Sequence, residues 1–282
     1  MREIIPLVSF PKSGNTWMRF ILANIFKKDP NFDVTFETIN NISSTSYFED
    51  HSKMEKLLQE DTPLFIKEYY SYNKMPYYNF DKAIYIYRNG FDTMNSYWHF
   101  RNAQTPGKYK NITEFFKYYW HEFNHWGDHL DSWLNKNTLQ KHKVFAIKYE
   151  DLLNSSEDVI YKCLNYLGYS VSRERISNAI ALSSKDKMKK MSGSDTFMKS
   201  KDKNFHFVRS AKKGEGEKVL NDSLKEIFLS YDKNYCEMKK YNYLTDDNKW
   251  NKLERIKSIS YKDYLYIYYI RFRYKLQTFY KL

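Results

Sequence analysis

The sequence has only two cysteines in 282 residues, Cys163 and Cys236. They lie far apart, form no CxxC pair and stand at no metal-ligand spacing with histidine, which excludes a disulfide framework and a structural zinc site. Both are read as buried, reduced thiols. Long apolar runs are also missing. No stretch reaches the ~20 residues that a membrane span requires, and the N-terminus enters a strand-like segment without the regions of a secretory leader. The expected location is cytoplasmic. Acidic residues are the third shortage: 34 Asp and Glu against 46 Lys and Arg leave a net charge of +12. Such a balance favours acidic partners, whether a nucleotide, an acidic glycan, an anionic membrane surface or nucleic acid. The aromatic residues fall at helix or strand spacing and in no RNA-binding signature, so no nucleic-acid partner is expected. No internal repeat is present, and a hydrophobic content of 42% is enough for one core.

What is present is concentrated in Leu7-Val8-Ser9-Phe10-Pro11-Lys12-Ser13-Gly14-Asn15-Thr16-Trp17. Ile4 to Phe10 is apolar and partly β-branched, as a buried strand should be, and Pro11 and Gly14 punctuate a turn. Trp17, Phe20, Ile21 and Ile25 then recur at helical spacing, with Asn15 or Thr16 expected to cap the first turn as an acceptor. A helix start offers unpaired N–H donors and positive dipole. With Lys12 and two hydroxyls beside it, the loop suits a phosphate-like anion. It is not the nucleotide P-loop, whose lysine follows its second glycine.

Three more strands are expected at Pro63–Lys67, Ala83–Tyr87 and Val144–Ile147, most of them ending in a polar cluster. Strands separated by helices indicate a single α/β domain, a central parallel sheet flanked by helices with a P-loop-like strand-loop-helix site at the strand C-termini. Residues 27–62 read as loop and short helix over the site mouth. One long helix is expected from Thr113 to Asn135, with His121, His125 and His129 along a solvated or half-buried face. A helix starting at Ser155 or Ser156 should end at Gly168, and Leu224, Ile227 and Phe228 should mark another. Ser183 to Lys218 reads as a long flexible segment.

Two motifs carry a resemblance. Pro-Lys-Ser-Gly-Asn-Thr-Trp resembles the phosphosulfate loop of sulfotransferases that use 3'-phosphoadenylyl sulfate (PAPS), with Asn15 in place of a threonine. Arg88-Asn89-Gly90-Phe91-Asp92 through Ser96-Tyr97-Trp98-His99-Phe100 resembles the same family's 3'-phosphate motif, with Gly90 in place of proline. An arginine at a strand end and a serine two turns into the next helix can both reach one phosphate. Lys148-Tyr149-Glu150-Asp151 and Phe207 to Gly214 resemble a later strand end and a late basic loop of that family. The resemblance implies sulfuryl transfer from PAPS to a hydroxyl or amine, giving adenosine 3',5'-bisphosphate (PAP), with no metal. It implies that Lys12 and Lys67 are catalytic and that Lys12, Ser13, Gly14, Asn15, Thr16, Trp17, Arg88, Ser96, Tyr149, Arg209, Lys212, Lys213 and Gly214 bind the donor. Many members carry Lys-x-His where this chain has Lys67-Glu68-Tyr69, so the expected base is Glu68, with Glu37 and His99 behind it.

The implied domain is 1–244, with 245–282 a basic aromatic extension holding nine Lys/Arg against four Asp/Glu. Such a tail reads either as an interfacial helix at the inner face of a membrane or as a packing helix with snorkelling lysines. The acceptor is expected to be a small molecule or a glycan, free or lipid-linked. The rival functions are a nucleotide-dependent kinase of related fold and a non-catalytic basic module that binds membrane or nucleic acid.

Overall fold

A computed structural model describes residues 2–45, 52–75, 79–118, 126–191, 213–222, 224, 225 and 228. Strands β1 (Ile4–Ser9), β2 (Leu64–Glu68), β3 (Lys82–Tyr87) and β4 (Lys143–Lys148) fall within a residue or so of their expected places. They form one sheet in the order β2-β1-β3-β4, parallel throughout. The helices are α1 (Asn15–Phe26), α2 (Ile39–Ile42), α3 (Ser52–Leu57), α4 (Gly90–Gln104), α5 (Ile112–Tyr118) and α6 (Trp126–Leu134). After them come α7 (Lys136–Lys141), α8 (Tyr149–Asn154), α9 (Ser156–Leu167), α10 (Arg173–Leu182), α11 (Lys185–Met191) and α12 (Glu215–Val219).

The strands are apolar on both faces because both are covered, as parallel sheets require. Ile5, Leu7, Ile84 and Ile86 pack with Met18, Ile21 and Ile25 of α1, Ile160 and Leu164 of α9 and Ile176 of α10. Val8, Ala83, Tyr85 and Val144 pack with Phe91 and Met94 of α4 and Trp126, Leu130 and Trp133 of α6. β1 has β2 on one side and β3 on the other, so the strand order reverses there. The C-terminal ends of β1 and β3 therefore open the crevice in which such sheets bind ligands.

Several expectations are corrected. The expected long helix begins and ends within a residue of its expected bounds, as α5 and α6, with 119–125 outside the described residues; past Leu134 the Asn135 side chain accepts from the Thr138 amide at 3.1 Å and starts α7. His121 and His125 lie outside the described residues, and His129 is fully buried rather than on a wet face. The segment from Ser183 holds helices at both ends, α11 and α12, the first anchored by the buried Met188. Neither Asn15 nor Thr16 caps α1. Gly14 is its N-cap, in the left-handed region at φ 106°, and Asn15 instead donates its amide to the Leu7 carbonyl at 2.8 Å. Cys163 is buried and free, and burial pushes its thiol pKa up. No described helix is long and apolar enough to cross a membrane. Cys236 and the tail 245–282 lie outside the described residues.

Candidate active site

The first turn, between β1 and α1, is held in an uncommon backbone. Lys12 has φ 69°, a left-handed conformation that costs a side-chain-bearing residue about 1 kcal/mol. Ser13 follows, its amide donating to the Phe10 carbonyl at 3.3 Å. Its hydroxyl is fully buried and has no hydrogen-bond partner among the described residues. Gly14 is required twice, by its positive φ and because a Cβ there would lie 2.6 Å from Cδ2 of Tyr149. The Lys12 ammonium stands 4.4 Å from the centroid of the Phe100 ring on α4.

The second turn, between β3 and α4, lies beside the first. Arg88 donates to the Lys12 carbonyl at 3.4 Å, and its guanidinium covers the Tyr149 ring at 4.7 Å. Trp17 meets the same ring edge-on at 6.1 Å, its indole N–H tied to the Ser183 carbonyl at 3.0 Å. Lys12, Gly14, Trp17, Arg88 and Tyr149 thus form one cluster at the ends of β1, β3 and β4. Burial raises the Tyr149 pKa against the opposing pull of Arg88. Ser96 is half-buried two turns along α4.

Residues not assigned from the sequence brace this second turn. Asn89 caps α4 by accepting from the amides of Phe91 and Asp92 at 3.0 and 3.1 Å. Its own amide N–H goes to Oε1 of Glu150 at 3.1 Å, and its side chain donates to Glu217 of α12 at 3.1 Å. Asp92 is buried, with Arg88 3.9 Å away. Its carboxylate accepts from the amides of Gly214 and Gly216 at 2.7 and 2.6 Å. α12 approaches so closely that a Cβ at Gly216 would lie 2.2 Å from the Phe91 carbonyl. The late loop is therefore docked on the start of α4 at Gly214. Lys213 beside it is exposed, while Arg209 and Lys212 lie outside the described residues. Asn89, Asp92 and Glu150 stood in the quoted motifs, but only the Asn89 cap could be read as a contact, since asparagine before a helix accepts from its first amides.

At the end of β2, Lys67 pairs with Leu7 and Glu68 with Val8. Strand alternation puts them on opposite faces. Glu68 is buried, and the half-buried Lys67 holds its ammonium 4.5 Å from the Tyr69 ring centroid. Behind them His129 donates from Nε2 to the Tyr69 carbonyl at 3.1 Å and accepts the Tyr85 hydroxyl proton on Nδ1 at 2.8 Å. Burial lowers its pKa to about 4, so it is a neutral brace. Glu37 and His99 are both exposed.

Comparison with known proteins bears on this arrangement directly. The model of the sulfotransferase domain matches residues 3–260. The chain belongs to the sulfotransferase family. It is similar to Mus musculus sulfotransferase 1B1, 26% identical over 197 residues that cover 66% of this chain and 65% of that protein. It is also similar to Cavia porcellus sulfotransferase 1E1, 25% identical over 248 residues that cover 83% and 82%. The first of these matches spans just under two thirds of the relative's length. The fold resembles that of mouse sulfotransferase SULT7A1 complexed with PAP, with TM-score 0.60, 21% identity and 85% and 89% of the two chains covered. It resembles retinol dehydratase in complex with androsterone and inactive cofactor PAP at TM-score 0.61, with 15% identity and 88% and 83% covered.

Family membership makes one departure informative. Gly90 stands where the family motif has proline, and Phe228 fills the space: a Cβ at Gly90 would lie 2.7 Å from Cζ of Phe228. Phe228 is itself buried, packed against Phe91 and Trp126.

Proposed function

We propose that this sulfotransferase-family chain uses PAPS as donor and transfers its sulfuryl group to a hydroxyl or amine of a small-molecule or glycan acceptor. The observation that carries the reading is the first turn: a buried hydroxyl without a partner among the described residues, at a helix start, in a loop held left-handed beside Arg88. A buried polar group without a partner costs about 1–3 kcal/mol. A phosphosulfate at that helix start supplies the missing acceptor. The residues present fit the donor.

Bound PAPS supplies the sulfuryl group and a phosphate leaving group. The chain's own residues do the rest. Lys12 places its ammonium where negative charge grows on the leaving oxygen, which lowers the transition state more than the ground state. Lys67 assists from the neighbouring strand end. Ser13, Gly14, Asn15, Thr16 and the start of α1 hold the phosphosulfate. Arg88, Ser96 and the late loop of Arg209, Lys212, Lys213 and Gly214 hold the 3'-phosphate, while Trp17 and Tyr149 border the base. Glu68, the last residue of β2, takes the acceptor proton provided that the pleat is lost at the strand end, since regular alternation turns it from the Lys67 face; Glu68→Gln should lower turnover at saturating acceptor. Residues 1–244 are the catalytic domain and 245–282 an extension able to touch anionic lipid.

Thermal shift tests this reading. PAP at 100 times its dissociation constant should stabilise the protein by about 2.7 kcal/mol, whereas ATP with magnesium should not. No response to PAP sinks it. Mass spectrometry of native glycans and lipids incubated with the enzyme and PAPS, searched for a sulfate increment, then identifies the acceptor.

A further inference from the structure

Arg19 is one turn into α1, immediately behind the phosphate loop, and is 1% exposed. An arginine is always charged and loses its hydration on burial, so it stays there only where its donors are met. Three of its hydrogen bonds fall on one segment. Nε donates to the Ser43 hydroxyl at 3.2 Å, and Nη2 donates to Oδ1 of Asn40 at 2.8 Å and to the Ser43 carbonyl. With the guanidinium donating to it, the Ser43 hydroxyl turns its own proton outward, to the Phe65 carbonyl of β2 at 2.9 Å. The next residue continues the contact: the Ser44 carbonyl accepts from the Lys67 amide at 2.9 Å. Ser43 and Ser44 are both buried, and Ser43 is extended, so the pair lies along the edge of β2 as a short strand would.

This path joins the helix that begins at the phosphate loop to the backbone of Lys67 through three consecutive links. We propose that Arg19 is a positioning residue: it fixes residues 40–44 against β2 and so sets the depth at which Lys67 meets the donor loop. The inference rests on the sulfotransferase reading only for the role of Lys67; the clamp itself is a property of the free protein. Its part is to register the second lysine against the first.

The test is amide hydrogen exchange with a parallel PAP titration, on full-length Arg19→Gln, Arg19→Lys and Ser43→Ala. Arg19→Gln should exchange roughly tenfold or more faster at residues 64–68, with β3 and β4 unchanged, because only the local opening becomes easier. PAP affinity should stay within about twofold of wild type. Arg19→Lys keeps the charge but not the fork that spans Ser43 and Asn40, and should be intermediate. Ser43→Ala, a smaller change that keeps the protein folded if Arg19→Gln does not, should reproduce the local loss. Unchanged exchange at 64–68 in both, or an equal rise in β3 and β4, overturns the proposal. So does a tenfold loss of PAP affinity with 64–68 still protected, which would assign Arg19 to the donor loop. If the wild type binds no PAP, the functional reading fails while the exchange comparison still decides whether the clamp exists.

Discussion

The two strand-to-helix turns at the centre of this molecule are alike in topology and differ in how much of each the rest of the protein braces. After β1, a lysine sits in a left-handed backbone and a serine hydroxyl is buried without a partner among the described residues. After β3, Asn89 caps the helix, Glu150 holds the Asn89 amide, and Asp92 takes two amides from α12. The second turn is braced by the protein, from residues as much as 128 positions away, although Arg88 Nε and Glu150 Oε2 are also buried without a hydrogen-bond partner among the described residues. What sets the first turn apart is its left-handed lysine, and on the proposed reading that strain marks where charge is handled, beside an arginine held by the braced turn.

Substitutions should separate the two turns by what they change. Lys12→Ala should lower kcat on the order of 10²–10³-fold, measured in single-turnover transfer, as removal of one preorganised charge-stabilising donor does. Gly216→Ala acts on the other turn: its Cβ would meet backbone at 2.2 Å, so α12 must leave Asp92. Urea unfolding should show a loss of about 2–3 kcal/mol, the scale of overpacking plus lost buried bonds. If Gly216→Ala left stability intact and cost only turnover, the contrast between the turns would fail. Ser13→Ala should weaken PAP binding about tenfold by calorimetry, the worth of one hydrogen bond to a charged group, while leaving Tm unchanged or higher.

The smallest expected effect is a pH dependence. Burial raises the Glu150 pKa from 4.5, opposed by the Asn89 amide and Arg88. The unfolded chain therefore gives up that proton first, so Glu150 favours the fold at low pH and loses this contribution as pH rises through 4.5 and its higher folded value. Glu150→Gln keeps an acceptor for Asn89 without the buried charge. It should be more stable than wild type at pH 7 by up to about 1 kcal/mol, with the gap closing toward pH 4 in thermal melts.

The strands were legible because each is a short apolar, β-branched run closed by a polar cluster, and burial on both faces leaves them little alternative. The first turn was legible for a similar reason: a glycine, a lysine and a hydroxyl between strand and helix are local chemistry. Asp92 stood in the second motif, but its contact was not legible, because its partners Gly214 and Gly216 are distant in the chain and use only their backbone amides, which leave no side-chain signature. Arg19 carried no sequence signal, because its hydrogen-bond partners Asn40 and Ser43 lie more than twenty residues away and meet it only once residues 40–44 sit on β2. His129 misled by its spacing with His121 and His125, since periodicity cannot tell a wet face from one sealed by Tyr85 and Tyr69.

The packing of Phe228 against Gly90 bears on how relatives of this chain can vary. Proline is well suited to the first position of a helix, so the backbone at 90 does not forbid it. Phe228 crowds it, since a Cβ at 90 would lie 2.7 Å from Cζ of its ring, so a side chain there requires that buried ring to shift. A large aromatic residue at 228 should then disfavour proline at 90, so the two positions should tend to change together across descendants of a common ancestor although 138 residues separate them.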